Sequence, residues 1–227
     1  MQYMGSKNRI AKYILPIMLK DRKDGQWWVE PFVGGGNMID KVEGNRIGAD
    51  KDGLTIEALI YIRDFVDDLP KNNKDFTEED YKKATDGYTA YALSYGGKCW
   101  GGWRRDGKGK RDYVAEAYRN ALKQSPKLQG VKLIQEDYKR LVIPNNSIIY
   151  CDPPYLGTTK YKNDFDHENF WEWCREKTKE GHKVFISEYN APDDFKYIWS
   201  KEINSSLTKD TGSKKGIEKL FMYKIST

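Results

Sequence analysis

The run Ile148-Ile149-Tyr150-Cys151-Asp152-Pro153-Pro154-Tyr155 decides how this chain folds. The turn signals Pro144-Asn145-Asn146 precede it. A short apolar run bounded by a turn and a proline pair predicts a buried β-strand. Its carboxyl end then delivers an acid, two prolines and an aromatic, and in open α/β sheets ligands bind at that end. Proline has no backbone N–H to donate. The proline carbonyls and the Asp152 carboxylate therefore form an acceptor-only cluster beside an aromatic ring. That chemistry suits a planar group that donates hydrogen bonds, such as the amino group of a purine or pyrimidine. A plain Pro-Pro turn with an incidental acid and aromatic has the same letters. The choice between them depends on the rest of the chain.

Upstream, Trp27-Trp28-Val29 predicts a second strand, followed by Glu30-Pro31-Phe32-Val33-Gly34-Gly35-Gly36. The triple glycine lets the backbone turn tightly and approach a ligand. A third strand, Arg46 to Ala49, ends at Asp50, and helical spacing follows at Leu54, Ala58, Ile62 and Phe65. Strand, glycine loop, strand, acid and helix form the first half of a nucleotide-binding α/β fold, with Asp50 placed to accept from ribose hydroxyls. A dinucleotide oxidoreductase ranks low, because Ile39 stands where the pyrophosphate fingerprint needs its third glycine. Glu30 beside the loop also suits a cofactor with a cationic part better than a pyrophosphate. S-adenosylmethionine has a sulfonium and an ammonium group and no phosphate.

At the amino end, Ser6 is a candidate N-cap for a helix bearing Ile10, Tyr13, Ile14, Ile17 and Met18, which Pro16 should kink or end early. The stretch 63–130 differs in character. Thr77-x-x-Asp80 resembles a capping box. Residues 98–111 hold six basic side chains against one acid, with glycines and tryptophans interleaved. Lys98, Arg104, Arg105, Lys108, Lys110 and Arg111 can neutralise phosphates, and Trp100 and Trp103 can stack on bases. The competing reading is a solvated hairpin whose tryptophans pack on the protein body. A helix from Asp112 to about Lys123 follows, with Leu122 in its apolar phase. Beyond Pro126 the α/β pattern resumes with the strand Val131 to Ile134 and then Glu136-Asp137-Tyr138. After the central run come a polar loop at 158–166, a helix at 167–180 and a strand from Lys183 to Ser187. Two late strands, Lys196 to Ile203 and Lys219 to Ile225, form a hairpin around a basic loop at 209–216.

Composition agrees with this. At 227 residues the chain makes one domain, or one domain with a sizeable insertion. Apolar content is low at 38%, but 14% aromatics argue against wholesale disorder. The net charge of +5 suits a polyanion. Three widely spaced cysteines and two histidines support neither a disulfide framework nor a metal site. No apolar run approaches the roughly 20 residues of a membrane helix, and no signal peptide is evident. The expectation is an intracellular, cytoplasmic protein with no metal and no membrane contact.

Tyr3-x-Gly5-x-Lys7, Glu30-Pro31-Phe32-x-Gly34-Gly35-Gly36, Asp50 and Asp152-Pro153-Pro154-Tyr155, in this order, resemble the Dam-like DNA adenine methyltransferases. The likeness covers residues 1–62 and 131–227. It implies an α/β, Rossmann-like methyltransferase sheet with helices on both faces. Residues 63–130 would be an inserted, mostly helical target-recognition region with a basic hairpin. By the same resemblance Tyr3 and Lys7 contact S-adenosylmethionine. Glu30, Pro31, Phe32, Gly34 and Gly36 hold its methionine part, Asp50 its ribose, and Asp137 and Tyr138 line its adenine. Asp152, Pro153, Pro154 and Tyr155 are catalytic, with Asp152 also facing the cofactor. The partner is double-stranded DNA, and the reaction is direct methyl transfer to the N6 of a flipped-out adenine. The family often has Trp and Gly where Tyr3 and Ser6 stand here, which touches fine geometry only. The rivals are cytosine-N4 methylation (where Ser more often replaces Asp152), methylation of RNA or of a protein glutamine (where Asn does), and a silent nucleic-acid-binding module.

Overall fold

The structure, a computed structural model, describes residues 1–107, 109–155, 165–204 and 215–224. In chain order its elements are α1 (Ala11–Leu19), β1 (Trp28–Glu30), β2 (Arg46–Asp50), α2 (Gly53–Asp64), α3 (Glu78–Lys83), α4 (Gly87–Ala92), α5 (Tyr113–Leu128), β3 (Val131–Gln135), β4 (Ile148–Cys151), α6 (His167–Lys179), β5 (Lys183–Glu188), β6 (Phe195–Asn204) and β7 (Lys215–Tyr223). The strands take the order β3-β2-β1-β4-β5-β7-β6 in one seven-stranded sheet. This is the mixed α/β, Rossmann-like sheet expected from the sequence. The loop expected at 158–166 and the turn of the late hairpin fall largely outside the described residues.

The chain separates into two compact units. The first comprises residues 1–12 and 31–141. Its strands β2 and β3 pair in parallel, Arg46 to Asp50 against Val131 to Gln135. Helix α2 starts where the Asp52 carboxylate accepts from the Leu54 N–H at 3.0 Å, and it buries Thr55, Ile56, Ala58, Leu59 and Ile62. Phe65, expected in phase with that face, lies past the helix end and is exposed. The capping box is present: Thr77 N–H donates to the Asp80 carboxylate at 2.8 Å, and Asp80 N–H donates back to Thr77 Oγ1 at 3.4 Å.

Helix α5 runs to Leu128, about a turn and a half beyond the expected end. Pro126 lies in its last turn, so only one main-chain bond is lost there, while Val114, Ala117, Ala121 and Leu128 still bury one face. Leu122 is exposed rather than part of that face. The basic hairpin contracts, among the described residues, to a single antiparallel bridge between Ser94 and Trp103, with Tyr95 N–H donating to the Gly102 carbonyl at 2.8 Å. Gly96, Gly97 and Gly102 all have positive φ. The segment therefore turns on itself too tightly to form a ladder.

The second unit comprises residues 13–30 and 142–227. Strand β4 pairs in parallel with β1 on one side and β5 on the other, and all four of its residues are buried. That dictates the near-continuous apolar run in the sequence. Strand β7 runs antiparallel to both β5 and β6. Helix α1 continues through Pro16 to Leu19. Its buried Ile14, Leu15 and Met18 outweigh the one main-chain bond the proline forfeits. Helix α6 is N-capped by Asp166 and buries Phe170, Trp171, Trp173 and Cys174, and Gly181 follows it with φ of 94°.

Candidate active site

In the first unit the glycine loop forms a cradle. Val33 N–H donates to the Ala49 carbonyl at 2.8 Å, which ties the loop to the end of β2. The Asp50 carboxylate accepts from Gly34 N–H at 3.1 Å and from Asp52 N–H at 3.0 Å. Burial pushes the Asp50 carboxyl up to about 6, against the pull of those two main-chain donors. The Tyr3 ring lies so close over the loop that a Cβ at Gly34 would stand 2.9 Å from it, and one at Gly35 would meet the Tyr3 side chain at 2.6 Å. Lys7 is buried, and its Nζ donates to the Gly5 carbonyl at 3.2 Å. The Phe32 and Tyr138 rings pack 5.2 Å apart, and Lys51 pairs with Asp137 at 3.6 Å. Pro31 and Gly36 are buried.

Two further residues hold this cradle, and neither leaves a local signal in the chain. Gln124 of α5 is buried, and its Nε2 donates to the carbonyls of Gly35 at 3.0 Å and Gly36 at 3.3 Å. Tyr91 of α4 stacks on Tyr3 at 5.1 Å and donates its hydroxyl to Asp52. Burial and that carboxylate raise the Tyr91 phenol, so it remains a donor.

In the second unit β1 ends at Glu30, which is 2% exposed and accepts from the Trp28 indole N–H at 2.7 Å. Strand β4 places Tyr150 and Asp152 on one face, two residues apart. The Tyr150 hydroxyl meets Ser187 Oγ at 2.8 Å. Burial drives its phenol far above the usual range, and the charges of Asp152, Glu30 and Glu218 push the same way. Three carboxylates thus act on one buried hydroxyl and keep it protonated. Pro153 is buried, while Asp152, Pro154 and Tyr155 are half-buried. The Tyr155 hydroxyl donates to Glu218 at 2.7 Å, and its ring meets Tyr189 edge-on at 4.7 Å and 87°. Cys151 and Cys174 are buried free thiols, and burial together with Cys151 raises the Cys174 thiol.

The basic stretch is more engaged than its composition suggests. Trp103 packs on Tyr81 and Phe76, with ring centres 5.6 and 6.2 Å apart, and Trp100 meets Tyr81 at 5.8 Å. Arg104 pairs with Glu116 at 3.3 Å and covers the Tyr113 ring at 4.3 Å. Arg111 pairs with the same glutamate at 2.5 Å, and Arg105 pairs with Glu78. Lys98 and Lys110 are exposed and form no side-chain pair among the described residues. Lys108 lies outside them.

Within the first unit, the glycine cradle, a strand-end carboxylate and the Phe32–Tyr138 ring pair have the chemistry to hold a nucleoside, and within the second the buried Glu30 carboxylate suits positive charge; both fit S-adenosylmethionine. No curated protein matches the chain. Among solved structures, the tRNA (m1A58) methyltransferase TrmI from Aquifex aeolicus is 12% identical over 94% of this chain and 68% of its own, with a TM-score of 0.41. A Listeria monocytogenes protein described as a class I S-adenosylmethionine-dependent methyltransferase is 12% identical over 98% of this chain and 61% of its own, with a TM-score of 0.45. The sequence pattern of one family matches at residues 3–122 and 103–211, which takes in the glycine cradle and the strand-end motif alike. The chain therefore belongs to the D12 class N6 adenine-specific DNA methyltransferases, enzymes whose methyl donor is S-adenosylmethionine.

Proposed function

We propose that the protein methylates the exocyclic N6 of adenine in double-stranded DNA, acting on a base turned out of the helix. The observation that carries this reading is the half-buried Asp152 at the end of a fully buried strand, followed by the buried Pro153. S-adenosylmethionine, when bound, supplies an electrophilic methyl group on a sulfonium. The adenine amine is a weak nucleophile, because its lone pair is delocalised into the ring. Asp152 and the Pro153 carbonyl accept its two N–H bonds, favour a more tetrahedral nitrogen and aim the lone pair. Positioning and electrostatics then carry catalysis, with no covalent enzyme intermediate. Tyr155 stacks on the displaced base, offsetting part of the few kcal/mol lost on unstacking. On the cofactor side, Tyr3, Lys7, Glu30 and residues Pro31, Phe32, Gly34 and Gly36 hold the methionine part, Asp50 the ribose, and Asp137 and Tyr138 the adenine.

The test is incubation with labelled S-adenosylmethionine and duplex DNA of mixed sequence. Label on adenine N6 is expected. Label on cytosine overturns the base assignment, and no label in DNA with the cofactor bound overturns the reading.

Asp50 gives a pH signature. Its folded-state pKa is raised, so its contribution to stability is present at low pH and is lost as pH rises from about 4 to about 6. Cofactor binding runs the other way, because ribose hydroxyls donate best to the ionised carboxylate. Affinity should fall as pH drops below about 6, approaching tenfold per unit once Asp50 is mostly protonated. Calorimetry across this range should show the inflection, and Asp50→Asn should remove it. An inflection that survives in Asp50→Asn assigns the titration elsewhere.

We also assign residues 63–130 to target recognition, with Lys98, Trp100, Trp103, Arg104, Arg105, Lys108, Lys110 and Arg111 facing DNA. Because Arg104, Arg105 and Arg111 already pair with carboxylates, the exposed Lys98 and Lys110 should dominate the ionic part of binding. Replacing both by glutamine should lower the slope of log K against log salt by about 2 units. An unchanged slope places the phosphate contacts on other residues.

A further inference from the structure

Strand β7 alternates two faces. Glu218 shares its face with Leu220, which is fully buried, while the neighbouring Ile217 is exposed. Glu218 itself is only 4% exposed. A carboxylate carried into a sheet interior is costly unless hydrogen bonds satisfy it. Here the Tyr155 hydroxyl supplies one, at 2.7 Å to Oε2. The ring is also held edge-on by Tyr189 at 4.7 Å, just past the end of β5. Tyr155 is thus fixed at its tip by one residue and along its edge by another. The support is rigid, because β7 is hydrogen-bonded on both sides, with Glu218 opposite Lys201 and Lys219 opposite Glu188.

We infer that Glu218 is a positioning residue for the reaction: its carboxylate holds Tyr155 by the hydroxyl and sets the plane of the ring that receives the target base. This rests on the proposed function, which gives Tyr155 its stacking role. The phenol remains protonated near neutral pH, because burial and the charges of Asp152 and Glu218 raise it well above the usual range. It therefore acts as the donor, and an ionised glutamate is a stronger acceptor than a neutral amide. An aromatic held at one end only can rock about its remaining torsion, and a misplacement of about an ångström can cost on the order of 10²-fold in rate. The bond acts on the base and leaves the methyl donor untouched, so its loss should separate the two substrates.

The experiment compares wild type with Glu218→Gln, Glu218→Ala and Tyr155→Phe, using duplex DNA with and without 2-aminopurine at the target adenine. Glu218→Ala is expected to lower kcat/KM for DNA about tenfold to a hundredfold and to reduce the fluorescence gain on base displacement. Affinity for S-adenosylmethionine should stay within about threefold of wild type, since Glu218 is not assigned to the cofactor. Glu218→Gln, which keeps an acceptor oxygen of the same reach, should restore most of the activity. Tyr155→Phe removes only the hydroxyl and should reproduce the Glu218→Ala defect, with no further loss in the double variant. Should Glu218→Ala fail to fold, Tyr155→Phe and Glu218→Gln carry the test. Full turnover in Tyr155→Phe, or defects that multiply in the double variant, overturns the inference while wild type remains active. An inactive wild type overturns the proposed function, and this inference with it.

Discussion

Asp152→Ala is expected to reduce methyl transfer by on the order of 10³-fold, the largest functional effect of any single substitution in the chain. The carboxylate follows a strand whose four residues are all buried, so truncating it leaves the packing of β4 against β1 and β5 in place. Lost instead is the charged acceptor that fixes one N–H of the adenine amine and the electrostatic support for charge developing on nitrogen. Asp152→Asn should fall between the two, because its amide oxygen still accepts but carries no charge. The check is single-turnover transfer with labelled S-adenosylmethionine, alongside circular dichroism to confirm that the fold survives. Activity within tenfold of wild type in a folded Asp152→Ala protein contradicts the assigned role.

The second large effect concerns stability. Gly87 opens helix α4, and its N–H donates to the Glu57 carboxylate of α2 at 2.8 Å. A Cβ at this position would lie 1.9 Å from the Leu54 carbonyl oxygen and 3.0 Å from the Ala58 nitrogen. Both are main-chain atoms in the first two turns of α2, so no side-chain rotation relieves the overlap. Helices α2 and α4 must separate, exposing Tyr88 and Leu93, which are 1% exposed in the native packing. Gly87→Ala should therefore cost about 3 kcal/mol, the upper end for overpacking. In a chain of this size that is a fall in Tm of roughly 6–12 °C. Thermal denaturation followed by circular dichroism measures it, and a Tm within about 2 °C of wild type shows that α4 shifts freely on α2.

Much of this architecture was legible in the residues. The buried run Ile148 to Cys151 announces a strand covered on both faces, and the acids Glu30, Asp50 and Asp152 each stand at a strand end where polar atoms can meet a ligand. The capping box was readable because Thr77 and Asp80 bond locally, whereas Ser6, expected to cap the helix bearing Ile14 and Met18, caps the short 3-10 turn Lys7–Arg9 ahead of it. Less legible were features set by distant contacts. Pro16 and Pro126 read as breakers, yet α1 and α5 pass through them because tertiary burial exceeds the loss of one main-chain bond. Leu122 and Phe65 read as core and are exposed, since helical phase alone does not say how wide the covered face is.

By itself the sequence determined the strand-end motifs, their order and hence the family, because main-chain turns, glycine loops and acid placement are local properties. The strand-end run that opens into Asp152 is such a property, complete within a dozen residues. Only the tertiary structure decided what holds those motifs in place. Gln124 lies 89 residues from the Gly35 carbonyl it binds, and Glu218 lies 63 residues from Tyr155. Neither pairing leaves a local pattern, because hydrogen bonds across a sheet or from helix to loop depend on which segments pack together. The same holds for the basic stretch, whose charge is plain in the sequence. Arg104, Arg105 and Arg111 are paired, and Lys98 and Lys110 left exposed, only because Glu78 and Glu116 fold beside it.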